Sequence, residues 1–182
     1  MELGISHFPK WDDKTVVTPE DIIWNEPVNR YDERHGRYIT GRPSQGYGTH
    51  DFEYAGKNIS PLPWEASDKI LDLKGRLEDF VGVKFYFCLA GLYESNEVGI
   101  PMHHDEIESP TDVIVSLSYG ATRIFELQPI DGSPLQRFVL EEGDLVIMTG
   151  RNQELCQHGV PELETPCGPR VNLTFRTKGT FA

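Results

Sequence analysis

The chain has 182 residues and a formal net charge of −12 at pH 7, with 38% hydrophobic and 25% charged residues. A chain of this length and composition can bury a substantial core as one domain, without disulfides or structural metals. The acidic balance argues against a long footprint on DNA or RNA, because phosphate contacts supply most of the non-specific affinity for nucleic acids.

We expect neither a membrane-spanning segment nor an export signal in this sequence. No apolar run approaches the ~18 residues that span a bilayer, and the opening residues have neither the basic nor the apolar part of a signal peptide. The three cysteines show no C-x-x-C pairing, which argues against a disulfide framework and against a cysteine zinc site. We therefore expect a soluble intracellular protein, cytoplasmic or nuclear, with no membrane partner, and we favour a monomer.

The first part of the chain predicts little regular structure. Thr18 can cap a helix and Asp21 completes a capping-box pattern, while Pro19 suits the first helical position. We therefore expect a short helix that ends at about Trp24. Residues 27–63 are rich in glycine, proline, asparagine and aromatic residues, which predicts hairpins and loops. A substrate lid could lie in this segment.

A clear helical period follows. Apolar residues recur at intervals of three and four within residues 66–81, which predicts one buried stripe along a supporting helix. Gly82 should end this helix. The predicted stripe consists of Ile70, Leu73, Leu77 and Phe80.

The C-terminal part of the chain changes to strand-like runs of β-branched and aromatic residues, separated by Gly, Asp, Asn and Pro. With one helical layer before them, these runs predict an α+β, mainly β fold: a double-stranded β-helix, or jelly roll, supported by N-terminal helices. We expect a single domain over residues 1–182, with its jelly-roll core at residues 83–178. The predicted strands lie within residues 84–93, 112–120, 122–130, 136–150 and 170–177.

Two imidazoles and a carboxylate are spaced as metal ligands. On a strand, the first and third residues of H-x-D point to the same side, so His103 and Asp105 could reach one metal while His104 points away. His158, after a predicted strand, would complete the two-histidine, one-carboxylate set that leaves positions open on Fe(II). The tripeptide alone is a weak signal, because it is common by chance and histidines are more often surface or hydrogen-bonded residues than ligands.

Two arginines near the C-terminus indicate a binding site for an anion. Arg170 and Arg176 are separated by an even number of residues, so on a strand both project from one face, together with Asn172 and Thr174. Guanidinium groups that face a barrel interior are costly unless an anion pairs with them, and a dicarboxylate such as 2-oxoglutarate meets that demand. The alternative is that both arginines pair with internal acidic side chains.

Four motifs occur together: HHDE at 103–106, GDLVIMTG at 143–150, HGVP at 158–161 and RVNLTFR at 170–176. In their order and spacing, the chain resembles the AlkB family of 2-oxoglutarate dioxygenases over roughly residues 37–178. The resemblance implies a jelly roll that uses Fe(II), 2-oxoglutarate as co-substrate and O2.

The resemblance also implies the roles of individual residues. His103, Asp105 and His158 match the iron ligands and are the expected catalytic residues. Arg170 matches the residue that binds the distal carboxylate of 2-oxoglutarate, and Arg176 matches the residue at its C1 end.

Two further positions match co-substrate contacts, with one departure. Asn172 matches a contact near 2-oxoglutarate, and Tyr93 matches the tyrosine of an N-x-Y pair. Gly91 stands where the family has the asparagine of that pair. One hydrogen bond to 2-oxoglutarate is therefore missing from the pattern.

For the substrate, the family implies oxidative demethylation of N-alkylated bases in RNA or single-stranded DNA, with methylated single strands as partners. Glu106 follows the iron-binding aspartate, and HHDE is similar to the motif of the eukaryotic N6-methyladenine eraser, in which that residue helps to read the flipped base. An extruded base needs an aromatic stacking wall. The candidates for this wall are Tyr38, Tyr47, His50 and Tyr54, which could instead be local core.

A locally basic stretch could offset the acidic body at such a site, although its arginines could equally pair with surface acids. Alternative functions are a 2-oxoglutarate-dependent hydroxylase or demethylase of a protein, free nucleotide or small molecule, or a non-catalytic jelly-roll binding module. The basic stretch contains Arg30, Arg34, Arg37 and Arg42.

Overall fold

The computed structural model describes residues 3–27, 30–32, 37–39, 41–54 and 57–177, with only the backbone described at 30–32, 37–39, 52–54 and 57–59. Among these residues, no helix is both long and apolar enough to cross a membrane. The helices are α1 (Asp68–Val81) and α2 (Gly150–Leu155), and the strands are β1 (Ile5–Phe8), β2 (Arg30–Asp32), β3 (Arg37–Ile39), β4 (Ser44–Gly48), β5 (Phe52–Tyr54), β6 (Lys57–Ile59), β7 (Phe87–Tyr93), β8 (Ile100–His103), β9 (Val113–Gly120), β10 (Arg123–Pro129), β11 (Gln136–Leu140), β12 (Leu145–Thr149), β13 (Cys156–Val160) and β14 (Arg170–Arg176).

Two antiparallel sheets pack against each other and form the predicted jelly roll. The larger sheet has the strand order β1-β12-β9-β14-β7-β4, and the smaller has the order β11-β10-β13-β8. Buried side chains of both sheets, such as Met148 from β12 and Phe125 from β10, share one core. Two hairpins, β2 with β3 and β5 with β6, form separate two-stranded sheets. The mainly β architecture predicted from the sequence is confirmed.

Alternation along β7 gives the large sheet two different faces. Ala90 and Leu92 belong to the core on the side of α1, whereas Gly91 and Tyr93 line a cavity on the other side. Because successive strand residues point to opposite faces, one strand joins the structural core to the candidate site.

Helix α1 covers the outer face of the large sheet, as its apolar period predicts. Ile70, Leu73 and Leu77 are fully buried, and each such side chain contributes roughly 1.5–3 kcal/mol by leaving water. Ser67 Oγ accepts a hydrogen bond from the backbone N–H of Ile70, and Gly82 ends the helix in the left-handed region at φ 78°.

The prediction that Phe80 completes the buried stripe is wrong. Its side chain is 47% exposed, and its ring packs edge-on against Phe8 of β1 with the centroids 5.3 Å apart. Trp11 contacts the same ring from a tilted position, with the centroids 5.6 Å apart. Phe80 therefore belongs to a surface aromatic cluster and not to the core between helix and sheet.

The short helix predicted to reach Trp24 is a single 3₁₀ turn at Pro19–Asp21. The backbone N–H of Thr18 donates to Asp21 Oδ2 at 2.8 Å, so the local signal does form a turn. Ile22 then takes extended backbone angles and lies in the core at 5% exposure. Burial of Ile22 thus overrides the local helix signal.

Strand β4 changes the boundaries of the predicted lid. It pairs with β7 from Ser44 opposite Gly91 to Gly48 opposite Phe87, and all of its residues are buried. This part of residues 27–63 is therefore fixed in the large sheet. The lid proposal narrows to the two hairpins that β2, β3, β5 and β6 form.

A buried carboxylate ties the end of α1 to the start of β7. Glu78 Oε1 accepts hydrogen bonds from Lys74 Nζ at 2.6 Å and from the Phe85 backbone N–H at 2.9 Å. Lys84 Nζ donates to Glu78 Oε2 at 2.7 Å. Burial of Glu78 opposes its ionisation, but these hydrogen bonds outweigh burial and lower the pKa of the carboxyl group.

We expect Glu78→Gln to lower the free energy of unfolding by about 1–3 kcal/mol at neutral pH, because buried charge-assisted hydrogen bonds are lost. The folded pKa lies below the unfolded one, so this contribution is complete above the unfolded pKa and is lost as pH falls through the folded pKa. Urea unfolding at several pH values measures this contribution to the free energy of unfolding, and Asp79→Asn, at an exposed position on the same helix, is the control. A difference that stays constant down to pH 3 would contradict the assignment.

Candidate active site

A cavity between the two sheets collects the residues that the sequence marks for chemistry. Strands β8 and β13 of the small sheet are antiparallel neighbours, and His103 stands directly opposite His158 in their register. The two imidazole centroids are 4.4 Å apart. Asp105 Oδ1 lies 3.8 Å from His103 Nε2, and Asp105 Oδ2 lies 3.6 Å from His158 Nε2. One ligand atom from each residue lies within 4.8 Å of the others, a spacing that a single metal ion can bridge.

Asp105 reaches this cluster by a different route from the predicted one. Strand β8 ends at His103, so alternation along a strand does not place Asp105, and that expectation is wrong. The backbone N–H of Asp105 instead donates to Gln153 Oε1 at 2.9 Å. Gln153 lies on α2, the short helix between β12 and β13. His104 is exposed, consistent with its expected outward direction.

The neighbours of the two histidines fix their rings. His103 Nδ1 lies 2.9 Å from the carbonyl oxygen of Pro101. A proton on Nδ1 that donates to this carbonyl leaves the lone pair of Nε2 directed at the cluster. The ring of His158 stacks on Phe125 with the centroids 5.5 Å apart and the planes 23° from parallel. The protein itself therefore orients both rings toward the cluster.

The electrostatics favour the protonation states that a divalent metal needs. Burial lowers the pKa of His103, with Asp105 opposing it, and burial lowers the pKa of His158 to about 4 against the same opposition. Burial opposes ionisation of Asp105, but Arg176 and the two imidazoles outweigh it and hold its pKa well below the ordinary value. At neutral pH the cluster is two neutral imidazoles and one carboxylate.

Strand β14 delivers both predicted arginines to the same cavity. Arg176 Nη2 donates to Asp105 Oδ1 at 3.0 Å, so the alternative of an internal acidic partner holds for this residue. Arg170 is 1% exposed, and its Nη2 donates to Ser118 Oγ at 2.9 Å. The Nε and Nη1 atoms of Arg170 and the Nε atom of Arg176 are buried without a hydrogen-bond partner.

The guanidinium nitrogens without hydrogen-bond partners show which kind of ligand would suit this cavity. A buried donor without an acceptor costs about 1–3 kcal/mol, and more when the group is charged. Burial lowers the pKa of Arg170 and Tyr93 opposes this effect, while the neighbouring Arg123 and Arg42 act in the same direction as burial. A carboxylate would relieve both penalties. The donor set therefore fits an anionic co-substrate with one end at Arg170 and the other near Arg176.

Polar side chains line the path between the two arginines. Asn172 Nδ2 donates to Ser116 Oγ at 2.8 Å, and Thr174 Oγ1 donates to Asn172 Oδ1 at 3.1 Å. Tyr93 stands opposite Arg170 in the register of β7 and β14, and the Arg170 guanidinium carbon lies 4.8 Å from the centre of its ring. The structure thus brings Tyr93, Arg170, Asn172 and Arg176 together around one cavity.

The residues predicted to contact substrate are not brought together in this way. Tyr47 is 2% exposed in the core on the α1 side, because it pairs with Cys88 on the outward-facing register of β7. Its place in the predicted stacking wall is wrong. His50 is exposed after β4 and lies 2.8 Å from Thr49 Oγ1. Glu106 is exposed beside the histidine and aspartate cluster. The side chains of Tyr38 and Tyr54 lie outside the described residues.

Three residues that shape the site are not predicted from the sequence. Gln153 carries no signal, because its role depends on the position of α2. Phe125 could be found from the alternation along β10, which places it on the inner face with Leu127. Arg42 is predicted as part of a basic surface, but it lines the cavity. The side chains of Arg30, Arg34 and Arg37 lie outside the described residues.

Comparison with known proteins identifies the family. The model of the 2OG-Fe(II) oxygenase superfamily matches residues 21–176. The chain belongs to the 2OG-Fe(II) oxygenase superfamily. The superfamily's cofactors, Fe(II) and 2-oxoglutarate with O2, agree with the donor groups in the cavity.

Relatives place this oxygenase among the AlkB-type members. It is 32% identical over 169 residues to alpha-ketoglutarate-dependent dioxygenase alkB homolog 3 of Bos taurus, which covers 86% of this chain and 58% of the relative. It is 30% identical over 139 residues to DNA oxidative demethylase ALKBH2 of Homo sapiens, covering 69% of this chain and 51% of the relative. The chain thus spans little more than half the length of these relatives.

Solved structures share the fold of the oxygenase. OsALKBH1 superposes with a TM-score of 0.57 at 17% identity and covers 97% of this chain and 99% of its own. A 2OG-Fe(II) oxygenase family oxidoreductase from Burkholderia pseudomallei superposes with a TM-score of 0.56 at 20% identity, covering 83% of this chain and 71% of its own. At these identities the likeness supports the fold alone.

If the cluster of His103, Asp105 and His158 binds a metal ion, loss of one ligand should weaken metal binding. We expect His103→Ala to raise the dissociation constant for Mn(II) by at least about tenfold, because one of three ligands is lost. The adjacent His104→Ala is the matched control and should bind Mn(II) like the wild type, since its side chain is exposed. Calorimetric titration measures both. Equal binding by the His103 variant and the wild type would refute the assigned ligand set.

Proposed function

We propose that the chain is a 2-oxoglutarate-dependent dioxygenase that oxidatively demethylates N-alkylated bases in RNA or single-stranded DNA. The observation that carries this proposal is the pairing of a metal-ligand cluster with a buried, partly unpartnered guanidinium in one cavity. The similar human protein ALKBH2 is a DNA oxidative demethylase, which supports this substrate class.

The two ends of the cavity have separate tasks. His103, Asp105 and His158 would hold Fe(II), while Arg170 would receive the distal carboxylate of 2-oxoglutarate. Iron with the keto acid supplies the oxidising power that uses O2 to hydroxylate a C–H bond and converts 2-oxoglutarate into succinate and CO2. On an N-methyl base the product is an N-hydroxymethyl group, which breaks its C–N bond to release formaldehyde and returns the proton to the base.

The chain's own residues orient the metal ligands and exclude water from the cavity. Arg176 holds Asp105 at 3.0 Å and fixes the orientation of that carboxylate. Phe125 and the buried Tyr93 limit access of water from the sides of the cavity. His103 and Asp105 are the more accessible of the clustered ligands, since His158 is only 5% exposed. A methyl group would therefore approach from the side of His103.

The charge of the chain favours single strands over duplexes. At −12 the body repels a polyanion, and extrusion of a paired base costs a few kcal/mol more. A single strand presents its bases directly. We also propose that the hairpins formed by β2, β3, β5 and β6 are the substrate lid, because they flank β4 in sequence and lie outside the two main sheets.

Turnover of methylated oligonucleotides tests the proposed activity. We expect formaldehyde and succinate in equal amounts from N-methylated single strands, and at least about a tenfold loss in Arg170→Ala, because a bidentate carboxylate contact disappears. Arg137→Ala is the matched control, since that arginine is exposed and pairs with Glu126 on the surface. Succinate formation without formaldehyde from any methylated oligonucleotide would direct the search to a protein or small-molecule substrate.

The preference for single strands is a separate prediction. We expect matched methylated single strands to be demethylated faster than duplexes, with affinity that falls only gently between low and physiological salt, because few phosphates are contacted. Competition between the two substrates, followed by mass spectrometry, measures the ratio. A preference for duplexes, or a steep dependence on salt, would contradict the short footprint.

A further inference from the structure

Arg42 occupies space beside the co-substrate end of the cavity that a glycine leaves open. Gly91 on β7 stands opposite Asn172 of β14, and both line the cavity. A Cβ atom at position 91 would have Arg42 Nε as its nearest described neighbour, at 3.7 Å. Any larger side chain at position 91 would extend toward the Arg42 guanidinium. The absence of a side chain at position 91 therefore leaves room for the Arg42 guanidinium.

The contacts of Arg42 direct its guanidinium toward the same residues that hold Arg170. Its guanidinium carbon lies 4.6 Å from the centre of the Tyr93 ring, and that of Arg170 lies 4.8 Å from the same centre. Arg42 Nη1 donates to the carbonyl oxygen of Gly99 at 3.2 Å, which anchors the side chain. Two guanidinium groups thus contact one buried tyrosine at the end of the cavity.

A third guanidinium group lies at this end of the cavity. The Arg123 guanidinium carbon lies 5.3 Å from the Tyr93 ring centre, and its nitrogens donate to the carbonyl oxygens of Ser95, Val98 and Pro161. These carbonyl groups accept from Nη1 and Nη2 but carry no net charge, and Arg123 Nε is buried without a hydrogen-bond partner. Burial lowers the pKa of Arg123, and Arg42 adds to that effect against opposing acidic groups. Three guanidinium groups therefore surround Tyr93, at the end of the cavity where Arg170 has buried nitrogens without partners.

We propose that Arg42 is a second guanidinium contact for the distal carboxylate of the co-substrate, acting with Arg170 at the Tyr93 end of the cavity. The proposal rests on the proposed function, because it assumes that a keto dicarboxylate binds here. Arg42 takes the space that a side chain at position 91 would fill, and it makes the site select a dicarboxylate over a keto acid with one carboxylate. Arg123 keeps a structural task, since its Nη1 and Nη2 atoms already donate to three carbonyl oxygens.

A comparison of two ligands isolates this contact. 2-Oxoglutarate and 2-oxopentanoate have the same chain length, but only the former has a distal carboxylate. We expect Arg42→Met to weaken 2-oxoglutarate about tenfold and to leave 2-oxopentanoate nearly unchanged, because only a charge contact to the distal end is lost. Half-maximal thermal stabilisation of the Mn(II)-loaded protein, with ligand up to high millimolar concentration, measures both affinities.

The choice of variants separates a binding role from a structural one. Methionine keeps an aliphatic contact with Tyr93, so Arg42→Met tests charge with little loss of packing, and Arg42→Lys should recover part of the affinity. Arg137→Ala, on the surface, should leave the selectivity between the two ligands unchanged. Mn(II) affinity in the absence of keto acid should also stay unchanged, because Arg42 is not among the clustered ligands.

Three results would overturn the proposal. If Arg42→Met binds 2-oxoglutarate as tightly as the wild type does, Arg42 makes no contact with it, and the proposed function stands. If the variant weakens both ligands equally, Arg42 has a structural role only, and the proposed function again stands. If 2-oxoglutarate fails to stabilise the Mn(II)-loaded wild type, both the Arg42 contact and the proposed function are wrong.

Discussion

The structure depends on the cost of burying guanidinium groups in the core of a β-sandwich. Strand β14 lies between β9 and β7 in the middle of the large sheet, and the inward side chain of Arg170 is cut off from bulk water at 1% exposure. Arg170 there has one hydroxyl partner, Ser118, and buried nitrogens without partners. A fold that tolerates this burial needs an anion as part of its functional state, since a missing partner is costly. Binding of the co-substrate and stability of the cavity are therefore linked.

Asp105 couples the two ends of the site. One oxygen accepts from Arg176, and both face imidazoles that burial keeps neutral. A metal bound between these groups would compete with Arg176 for the charge of Asp105, and a carboxylate near Arg176 would compensate that arginine. Metal and co-substrate thus act on a shared ion pair, from which we infer that each strengthens the binding of the other. Gln153 supports this arrangement from α2, outside the cavity lining.

The sequence predicts those parts of the site that lie on strongly alternating strands. β9, β10 and β14 have apolar residues at every second position, so alternation alone assigns Arg170 and Arg176 to one face. β13 lacks this pattern, and its strand state comes from pairing with β10 and β8. Gly159 is required there, because a Cβ atom would lie 2.9 Å from the Ile100 carbonyl oxygen. Tyr47 lies on the face opposite to the predicted one. Strand β4 is short, and glycines flank Tyr47, so pairing with β7 sets the register of β4 and its own residues do not.

Charge is distributed oppositely inside and outside the molecule, and this bears on how a substrate is chosen. The chain as a whole carries −12, whereas the Tyr93 end of the cavity gathers the guanidinium groups of Arg42, Arg123 and Arg170. A small dianion gains from the interior potential once it enters, while a long polyanion meets mainly the acidic exterior. The nucleic-acid substrate that we propose would therefore be recognised through its base and a few contacts near the entrance, and only weakly through its backbone. For that proposed substrate, selectivity for an alkylated base would be separated from general affinity for nucleic acids, because a strand without the correct base would gain little from binding.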